Sequence, residues 1–175
     1  MKRCPKLFIE TTVFNFYFEG KQGRKQQDAR RLFEAINTGA YEAYTSEAVI
    51  EELKDASEEK FAQMKVLSNK YFQRPIKSSP EAEHLAEIYI AKGIIPDKFK
   101  EDALHIAIAT TNNLDFVVSF NYGHIVKTKT MIGVGLTNLR EGYRQIGLGT
   151  PTVPNNRART GEGVVAKIYH GVRLN

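Results

Sequence analysis

The sequence predicts an α/β domain built around a mostly parallel β-sheet, and three observations support this prediction. Short apolar runs, typical of buried strands, alternate along the chain with longer segments that carry apolar residues at helical spacing. Hydrophobic residues make up 42% of the 175 residues, which is enough for one core of ordinary domain size. The single cysteine, Cys4, excludes an intrachain disulfide or a zinc–cysteine cluster as another source of stability.

The strands are predicted from short apolar runs that polar or turn-forming residues interrupt. The two clearest runs, at residues 7–9 and 116–118, contain only Leu, Phe, Ile and Val. Because these runs show no alternation with polar residues, they predict strands that are buried on both faces. Further short strands are predicted at residues 41–44, 72–76 and 145–148.

The helices are predicted from apolar spacing together with capping signals. Apolar residues recur at helical spacing within residues 24–37. Ser46 and Asp97 fit helix N-caps, and Pro80 fits the first turn of a helix. The predicted helices cover residues 24–37, 47–56, 58–70, 80–93, 98–111 and 130–143.

Charge and composition divide the chain into a domain at residues 1–151 and a tail at residues 152–175. The net charge of the chain is +5, and the tail is basic, with four Lys or Arg residues against one acid, Glu162. The tail lacks apolar periodicity and is predicted to be mobile and dispensable for folding. The apolar run near the N-terminus is too short for a signal peptide or a membrane span, so we expect a cytoplasmic protein without membrane contact.

Two polar residues stand where predicted strands end. Glu10 directly follows the first strand, and Asn121 comes three residues after the strand at 116–118. In open parallel sheets ligands bind at the carboxyl ends of the strands, so both side chains are candidates to face a ligand. The simpler interpretation makes both of them turn residues, but glutamate is a poor turn former.

Two further acids lie on helix faces that should point inward. Glu52 is four residues from both Ala48 and Ala56, which belong to an apolar stripe. Asp102 opens a helix that is apolar nearly all round and should cross the core. A buried carboxylate is costly unless it is paired or bound, so Glu52 predicts either a ligand site or an ion pair with Lys or Arg. His105, in the same helix as Asp102, is predicted to be a packed, hydrogen-bonded histidine, and contact of one ring nitrogen with the acidic site is the less favoured alternative.

Glu10, Glu52, Asp102 and Asn121 together predict a site for a hard divalent cation. Mg²⁺ and Mn²⁺ prefer oxygen ligands, keep several waters, and need few protein carboxylates. Such an ion can polarise a phosphate and lower the pKa of water, so the pattern favours phosphodiester chemistry.

Four segments resemble the sequence motifs of the PIN-domain nuclease family, which includes the VapC-type toxin ribonucleases. Segment 7–14, LFIETTVF, is similar to the opening strand of the family, and segment 45–53, TSEAVIEEL, is similar to the second motif. Segment 102–109, DALHIAIA, resembles the third motif and is the most specific of the four. Segment 116–121, FVVSFN, resembles the fourth. The segments follow the order of the family, and the resemblance extends over residues 6–151.

The resemblance implies a three-layer PIN-like domain with a mostly parallel central sheet flanked by helices. It also implies a ribonuclease that uses Mg²⁺ or Mn²⁺ to cleave single-stranded RNA. Glu10, Glu52 and Asp102 would be the metal ligands, and Asn121 would be the fourth catalytic residue.

The resemblance has implications for supporting residues and for partners as well. Thr12 and Ser46 would be hydroxyls that support the site or face the substrate. The expected partners are single-stranded RNA, a small antitoxin protein and a second copy of the chain. Many members of the family are the toxin half of a toxin–antitoxin pair.

Two positions depart from the family pattern. The first acid is usually aspartate, whereas this chain has Glu10, and the fourth is often aspartate, whereas this chain has Asn121. The longer side chain and the loss of one negative charge would both weaken metal binding. The sequence therefore leaves two functions open: an active ribonuclease, and a catalytically weakened PIN-like module that acts through a protein or RNA partner.

Overall fold

A four-stranded parallel sheet forms the centre of the protein. The structure, a computed structural model, describes residues 3–20, 23–72 and 74–151. Its strands are β1 (Lys6–Ile9), β2 (Glu42–Tyr44), β3 (Phe116–Val118) and β4 (Gly147–Gly149). Their order in the sheet is β2-β1-β3-β4, and every neighbouring pair is parallel. The carboxyl ends of all four strands therefore lie at one edge of the sheet.

Helices flank this sheet, as the sequence predicts for an α/β domain with a PIN-like arrangement. In the described part of the chain they are α1 (Thr11–Tyr17), α2 (Arg24–Asn37), α3 (Glu47–Leu53), α4 (Glu58–Tyr71), α5 (Pro80–Ala91), α6 (Lys100–Thr111) and α7 (Thr128–Arg140), with a short 3-10 helix at Asp97–Phe99. Helix α5 packs along α6, α1 packs against α2, and α3 contacts α6. The last of these contacts brings together the helices that carry Glu52 and Asp102.

The core confirms the predicted first strand and the predicted central helix. Leu7, Phe8 and Ile9 of β1 are fully buried, and so are Ala103 and residues 106–109 of α6. Each large apolar side chain that is fully buried contributes roughly 1.5–3 kcal/mol, which explains why a helix apolar nearly all round lies in the core. This packing holds in place the residues that follow β1 and the first turn of α6.

The second predicted helix begins as expected but ends early. Ser46 caps α3, and its Oγ accepts a hydrogen bond from the Val49 N–H at 3.2 Å. The helix stops at Leu53 instead of residue 56, because the next three N–H groups bond to carbonyls only three residues back. Ser57 then caps α4. The predicted helix at 24–37 coincides with α2.

Three further features differ from the prediction: a helix, a strand and a helix cap. Helix α1 was not predicted, because its β-branched and aromatic residues have low helix propensity. The predicted strand at 72–76 is wrong for the described residues, of which only Ile76 pairs, in a single bridge to Ser46. Pro75 has no backbone N–H to donate to a neighbouring strand. Asp97 makes no side-chain cap; it begins the 3-10 helix, and α6 starts at Lys100.

The last helix, α7, begins two residues before the predicted start at residue 130 and ends three residues before the predicted end at 143. A glycine fits at position 133 because any Cβ there would lie only 2.9 Å from the side chain of Ile94, which would then have to move. The glycine thus lets α7 approach the segment that follows α5. Strand β4 is centred further along the chain than the predicted 145–148.

Two further expectations concern the chain as a whole. The predicted tail, residues 152–175, lies outside the described residues, so the division into domain and tail stays a prediction. Among the described helices, none combines the length and the apolar character that crossing a membrane requires.

Candidate metal centre

Glu10 occupies the carboxyl end of β1 and caps the helix that follows. Its Oε2 accepts hydrogen bonds from the Thr12 N–H at 3.1 Å and from the Thr12 hydroxyl at 2.6 Å. The residue is only 3% exposed. Glu10 thus has a structural reason for its position, since it satisfies an N–H at the start of α1. Its carboxylate nevertheless sits at the edge of the sheet where ligands bind in such folds.

Thr12 ties the end of β1 to the segment after β3. Its Oγ1 accepts a hydrogen bond from the Phe120 N–H at 2.8 Å and lies 3.4 Å from the Ser119 Oγ. The Ser119 Oγ in turn accepts a bond from the Asn121 N–H at 2.8 Å. The predicted supporting role of Thr12 therefore has a clear geometric basis, because it orients Glu10 and fixes the loop that carries Asn121.

Glu52 reaches the same edge from α3. Its Oε2 accepts a hydrogen bond from the Thr11 hydroxyl at 2.6 Å, and its Oε1 lies 2.6 Å from the His105 Nε2. No Lys or Arg pairs with it among the described residues, so the ion pair that the sequence left open is formed with a histidine instead. Ser46 is fully buried and caps α3, the helix that carries Glu52.

His105 is packed and hydrogen-bonded, as the sequence predicts, and its Nε2 contacts Glu52, which is the alternative that the sequence favoured less. Its side chain is 1% exposed, and its ring lies 5.9 Å from that of Phe8 in β1. Its Nδ1 is buried and has no hydrogen-bond partner among the described residues. His105 follows Asp102 by three residues, so both lie on one face of α6. That spacing is the sequence signal that could have identified it.

Glu10, Glu52 and His105 can each place a ligand atom within 4.8 Å of the other two. Asp102, which the sequence predicts as a ligand, is not a member of this group of three, but we include it in what we name the acidic cluster. Asp102 is near enough for its charge to interact with all three.

Asn121 contacts Asp102 through its amide nitrogen. Its Nδ2 donates to the Asp102 Oδ2 at 3.0 Å, while its Oδ1 accepts a hydrogen bond from the His124 N–H at 3.0 Å. The backbone donor fixes this orientation of the amide, because only the oxygen can accept from it. The Asn121 oxygen, which the sequence offers as a metal ligand, is therefore bonded to the backbone of the loop, and its amide nitrogen faces the acidic cluster.

Two carboxylates of the acidic cluster have raised pKa values, and burial is the largest cause of both shifts. Burial raises the pKa of Glu10, against the lowering effects of the His105 charge and of hydrogen bonds from Thr12 and Ser119. Burial and the charges of Glu10 and Glu52 raise the pKa of Asp102 to about 6, although His105 and Asn121 act in the opposite direction. Neighbouring carboxylates that disfavour each other's ionisation are relieved by a bound cation.

The Glu52–His105 pair behaves differently, because each partner stabilises the charged form of the other. Burial alone would raise the pKa of Glu52 and lower that of His105. The hydrogen bond and the opposite charges outweigh burial, so the pKa of Glu52 is lowered and that of His105 is raised. The histidine thereby holds Glu52 as a carboxylate in a fixed orientation.

The donor set fits a divalent cation. The carboxylates of Glu10 and Glu52 offer the oxygen ligands that Mg²⁺ and Mn²⁺ prefer, and the nearby Asp102 is a candidate third ligand. The imidazole that is hydrogen-bonded to Glu52 resembles the outer partners that orient metal-binding carboxylates. Among the described residues, none of the three carboxylates has a Lys or Arg partner that would compete with an ion.

Comparison with known proteins supports the fold. No protein-family model matches the sequence, and a search of curated proteins gave no match. Among solved structures, the chain is similar to a chain of the crystal structure of VapBC2 from Rickettsia felis bound to a DNA fragment from their promoter, with a TM-score of 0.52. The two share 12% sequence identity over 83% of this chain and 98% of that chain. At this identity the likeness supports a PIN-like fold and nothing finer.

Proposed function

We propose that the chain is a metal-dependent ribonuclease that hydrolyses phosphodiester bonds in single-stranded RNA. One observation carries the proposal. Glu10 at the end of β1 and Glu52 of α3 can place carboxylate oxygens within 4.8 Å of each other, and Asp102 of α6 lies near enough for its charge to act on both. In the described part of the chain none of the three has a Lys or Arg partner. Buried carboxylates left in this state are costly, and a bound divalent cation would remove the cost.

Glu10, Glu52 and Asp102 would hold the Mg²⁺ or Mn²⁺ ion. When bound, the ion supplies positive charge next to a phosphate oxygen and lowers the pKa of water. The protein supplies orientation. Thr12 holds Glu10, while Thr11 and His105 hold Glu52. Asn121 donates to Asp102 and would complete the catalytic set by keeping that carboxylate in place.

The surface beside the acidic cluster has the chemistry of a site for unstacked bases. The Lys25 Nζ lies 4.4 Å from the ring centroid of Phe16, 5.9 Å from that of Phe120 and 5.4 Å from that of Tyr122. Tyr122 is 52% exposed and directly follows Asn121. An exposed aromatic ring beside a lysine offers stacking for a base and charge for a phosphate, a combination typical of single-strand binding.

A toxin–antitoxin role is the biological setting that we propose. The VapBC2 structure is a complex bound to promoter DNA, and its likeness to this chain motivates a search for a small antitoxin partner. We also propose a homodimer in the cytoplasm. Co-expression with the product of a short neighbouring gene would test the first point. An antitoxin should co-purify with the chain and suppress its cleavage of RNA.

The experiment that tests the proposed activity compares two adjacent glutamates of α3. Glu52→Gln removes a carboxylate of the acidic cluster, whereas Glu51→Gln removes an exposed carboxylate that pairs with Lys54 on the surface. Cleavage of a labelled single-stranded RNA should require Mg²⁺ or Mn²⁺ and stop on addition of EDTA. Glu52→Gln should abolish it and Glu51→Gln should not. Equal rates for the two variants would exclude Glu52 from the site.

A second candidate function is a catalytically weakened binding or regulatory module. The observation that favours it is the orientation of Asn121, whose oxygen is taken by the His124 N–H. Asn121 then offers no free oxygen to a cation, and its amide carries no negative charge. A wild-type protein that binds RNA or an antitoxin but cleaves no RNA at any Mn²⁺ concentration would favour this candidate.

A further inference from the structure

A small cationic cavity lies next to the acidic cluster, where the segment after α5 meets the start of α7. Its volume is about 150 Å³, and its lining includes His124, Lys127, Lys129 and Thr130. We name it the α7 cavity. Asn121 connects the two sites, since it accepts a hydrogen bond from the His124 N–H and donates one to Asp102.

The lysines of the α7 cavity are exposed. Among the described residues, neither Lys127 nor Lys129 forms an ion pair or a hydrogen bond through its side chain, and no acid lines the cavity. Lys127 acts on another residue of the lining, because the pKa of His124 is lowered by burial and then by the charges of Lys127 and of Lys98, which lies outside the lining. Unpaired cations around a concave surface favour an anionic ligand.

Two kinds of unpaired hydrogen-bond donor accompany the lysines. Thr130 lines the cavity and is 2% exposed, and its hydroxyl has no hydrogen-bond partner among the described residues, while its oxygen keeps some solvent contact. Helix α7 has thirteen residues, and its N-cap, Lys127, makes no side-chain cap bond. The first N–H groups of α7 are therefore left for another acceptor. Donors of this kind at a helix start bind phosphate groups.

We propose that the α7 cavity binds a phosphate group of the single-stranded nucleic acid on which the acidic cluster acts. This inference rests on the proposed function and adds to it a second contact point for the substrate. The cations neutralise the phosphate charge, and the Thr130 hydroxyl and the α7 N–H groups donate to its oxygens. A strand held there has its neighbouring phosphodiester directed past Asn121 toward Asp102.

Binding without metal tests the cavity separately from catalysis. The probe is a short, fluorescently labelled single-stranded RNA that carries 2′-O-methyl groups, measured by anisotropy with the full-length protein in EDTA. The variant Lys127→Ala/Lys129→Ala should bind it about tenfold more weakly, and its dependence of log affinity on log salt should be shallower by about 0.7 per lost phosphate contact. The matched control, Lys65→Ala/Lys70→Ala, removes two exposed lysines of α4 and should bind like the wild type.

A second variant removes one hydrogen-bond donor without changing the charge. Thr130→Val is nearly isosteric and apolar, so it should keep the thermal midpoint of the wild type and still bind the RNA more weakly. Inorganic phosphate should compete with the RNA in the wild type and lose this effect in the double lysine variant. The cavity is overturned as a phosphate site if the double lysine variant binds as tightly as the wild type, or if the control loses as much affinity.

The two proposals fail in different ways. If the wild type cleaves no RNA with Mn²⁺ but shows lysine-dependent binding in EDTA, the phosphate site is supported and the nuclease activity is excluded. If the wild type cleaves RNA and the double lysine variant binds and cleaves equally well, the nuclease activity is supported and the phosphate site is excluded.

Discussion

The two edges of the central sheet hold their acids in opposite ways. At the amino ends of the strands, Asp115 lies 3.2 Å from an Arg3 nitrogen and 3.5 Å from an Arg144 nitrogen, and it accepts a hydrogen bond from the Lys6 N–H at 2.8 Å. At the carboxyl ends, the acidic cluster has hydroxyl, amide and histidine partners but no Lys or Arg among the described residues.

The difference is one of charge compensation. Asp115 has cationic partners within the fold, whereas Asp102 is close to other carboxylates and has no Lys or Arg partner among the described residues. Asp115 needs no further cation, since two arginines already surround it. In the acidic cluster, burial and the nearby carboxylates raise the pKa of Asp102 to about 6. A set of acids kept together at such a cost indicates a function other than stability, and a divalent cation is the partner that its chemistry favours.

The largest effect is expected on cleavage. Asp102→Asn should lower the rate of RNA cleavage by about 10²-fold or more, because loss of a metal ligand forfeits several kcal/mol of transition-state stabilisation. The matched control is Asp97→Asn, in the 3-10 helix that precedes α6, where the acid is exposed. Initial rates on a labelled RNA would measure both. A fully active Asp102→Asn protein would remove Asp102 from the site.

A smaller effect is expected on metal affinity when the fourth position gains a charge. Asn121→Asp should bind Mn²⁺ about tenfold more tightly, because a carboxylate would replace a neutral amide beside the ion. Without metal it should also raise the pKa of Asp102, since two carboxylates would then face each other. Titration calorimetry would compare it with the wild type and with Asn37→Asp, an exposed control at the end of α2. Equal Mn²⁺ affinities would place Asn121 outside the metal site.

Removing a charge at the two edges of the sheet should change stability in opposite directions. In EDTA, Asp115→Asn should lower the free energy of unfolding by about 1 kcal/mol, because it deprives two arginines of their partner. Asp102→Asn should leave the free energy unchanged or raise it, because it relieves repulsion within the acidic cluster. Urea unfolding of both variants would measure the difference. Destabilisation of similar size in both would mean that the two edges do not differ as described.

The pH dependence of stability without metal gives the finest test. The pKa of Asp102 in the folded state, about 6, lies above its ordinary value of 3.8, so the folded state takes up this proton first. The penalty for the charged form is therefore present at pH 7.5 and is relieved as the pH falls through 6. Asp102→Asn should exceed the wild type in stability at pH 7.5, by on the order of 1 kcal/mol, and the gap should narrow at pH 5. A gap that stays constant with pH would contradict the shifted pKa.

The positions of Glu10 and Glu52 could be predicted from the sequence because they follow from periodicity alone. An acid directly after a buried strand must lie at the edge of the sheet, and an acid four residues from alanines of an apolar stripe must point inward. Helix α6 could also be predicted, because a helix that is apolar nearly all round has to lie in the core.

The remaining features depend on contacts between distant segments, which periodicity does not encode. The role of His105 requires α3 and α6 to meet, and the orientation of Asn121 requires the N–H of His124. Helix α1 forms against its own propensity, with Glu10 as its cap. The α7 cavity cannot be predicted from the sequence, because exposed lysines near a helix start are common and do not by themselves indicate a site.

The central proposal is that the acidic cluster binds a divalent cation, since no Lys or Arg of the described residues pairs with its carboxylates. A crystal structure of the full-length protein soaked with Mn²⁺, with anomalous diffraction recorded, tests this most directly. We expect an anomalous peak among the carboxylates of Glu10, Glu52 and Asp102, and no peak beside Asp115. An acidic cluster without a peak, at an Mn²⁺ concentration that supports RNA cleavage in solution, would contradict cation binding at this site.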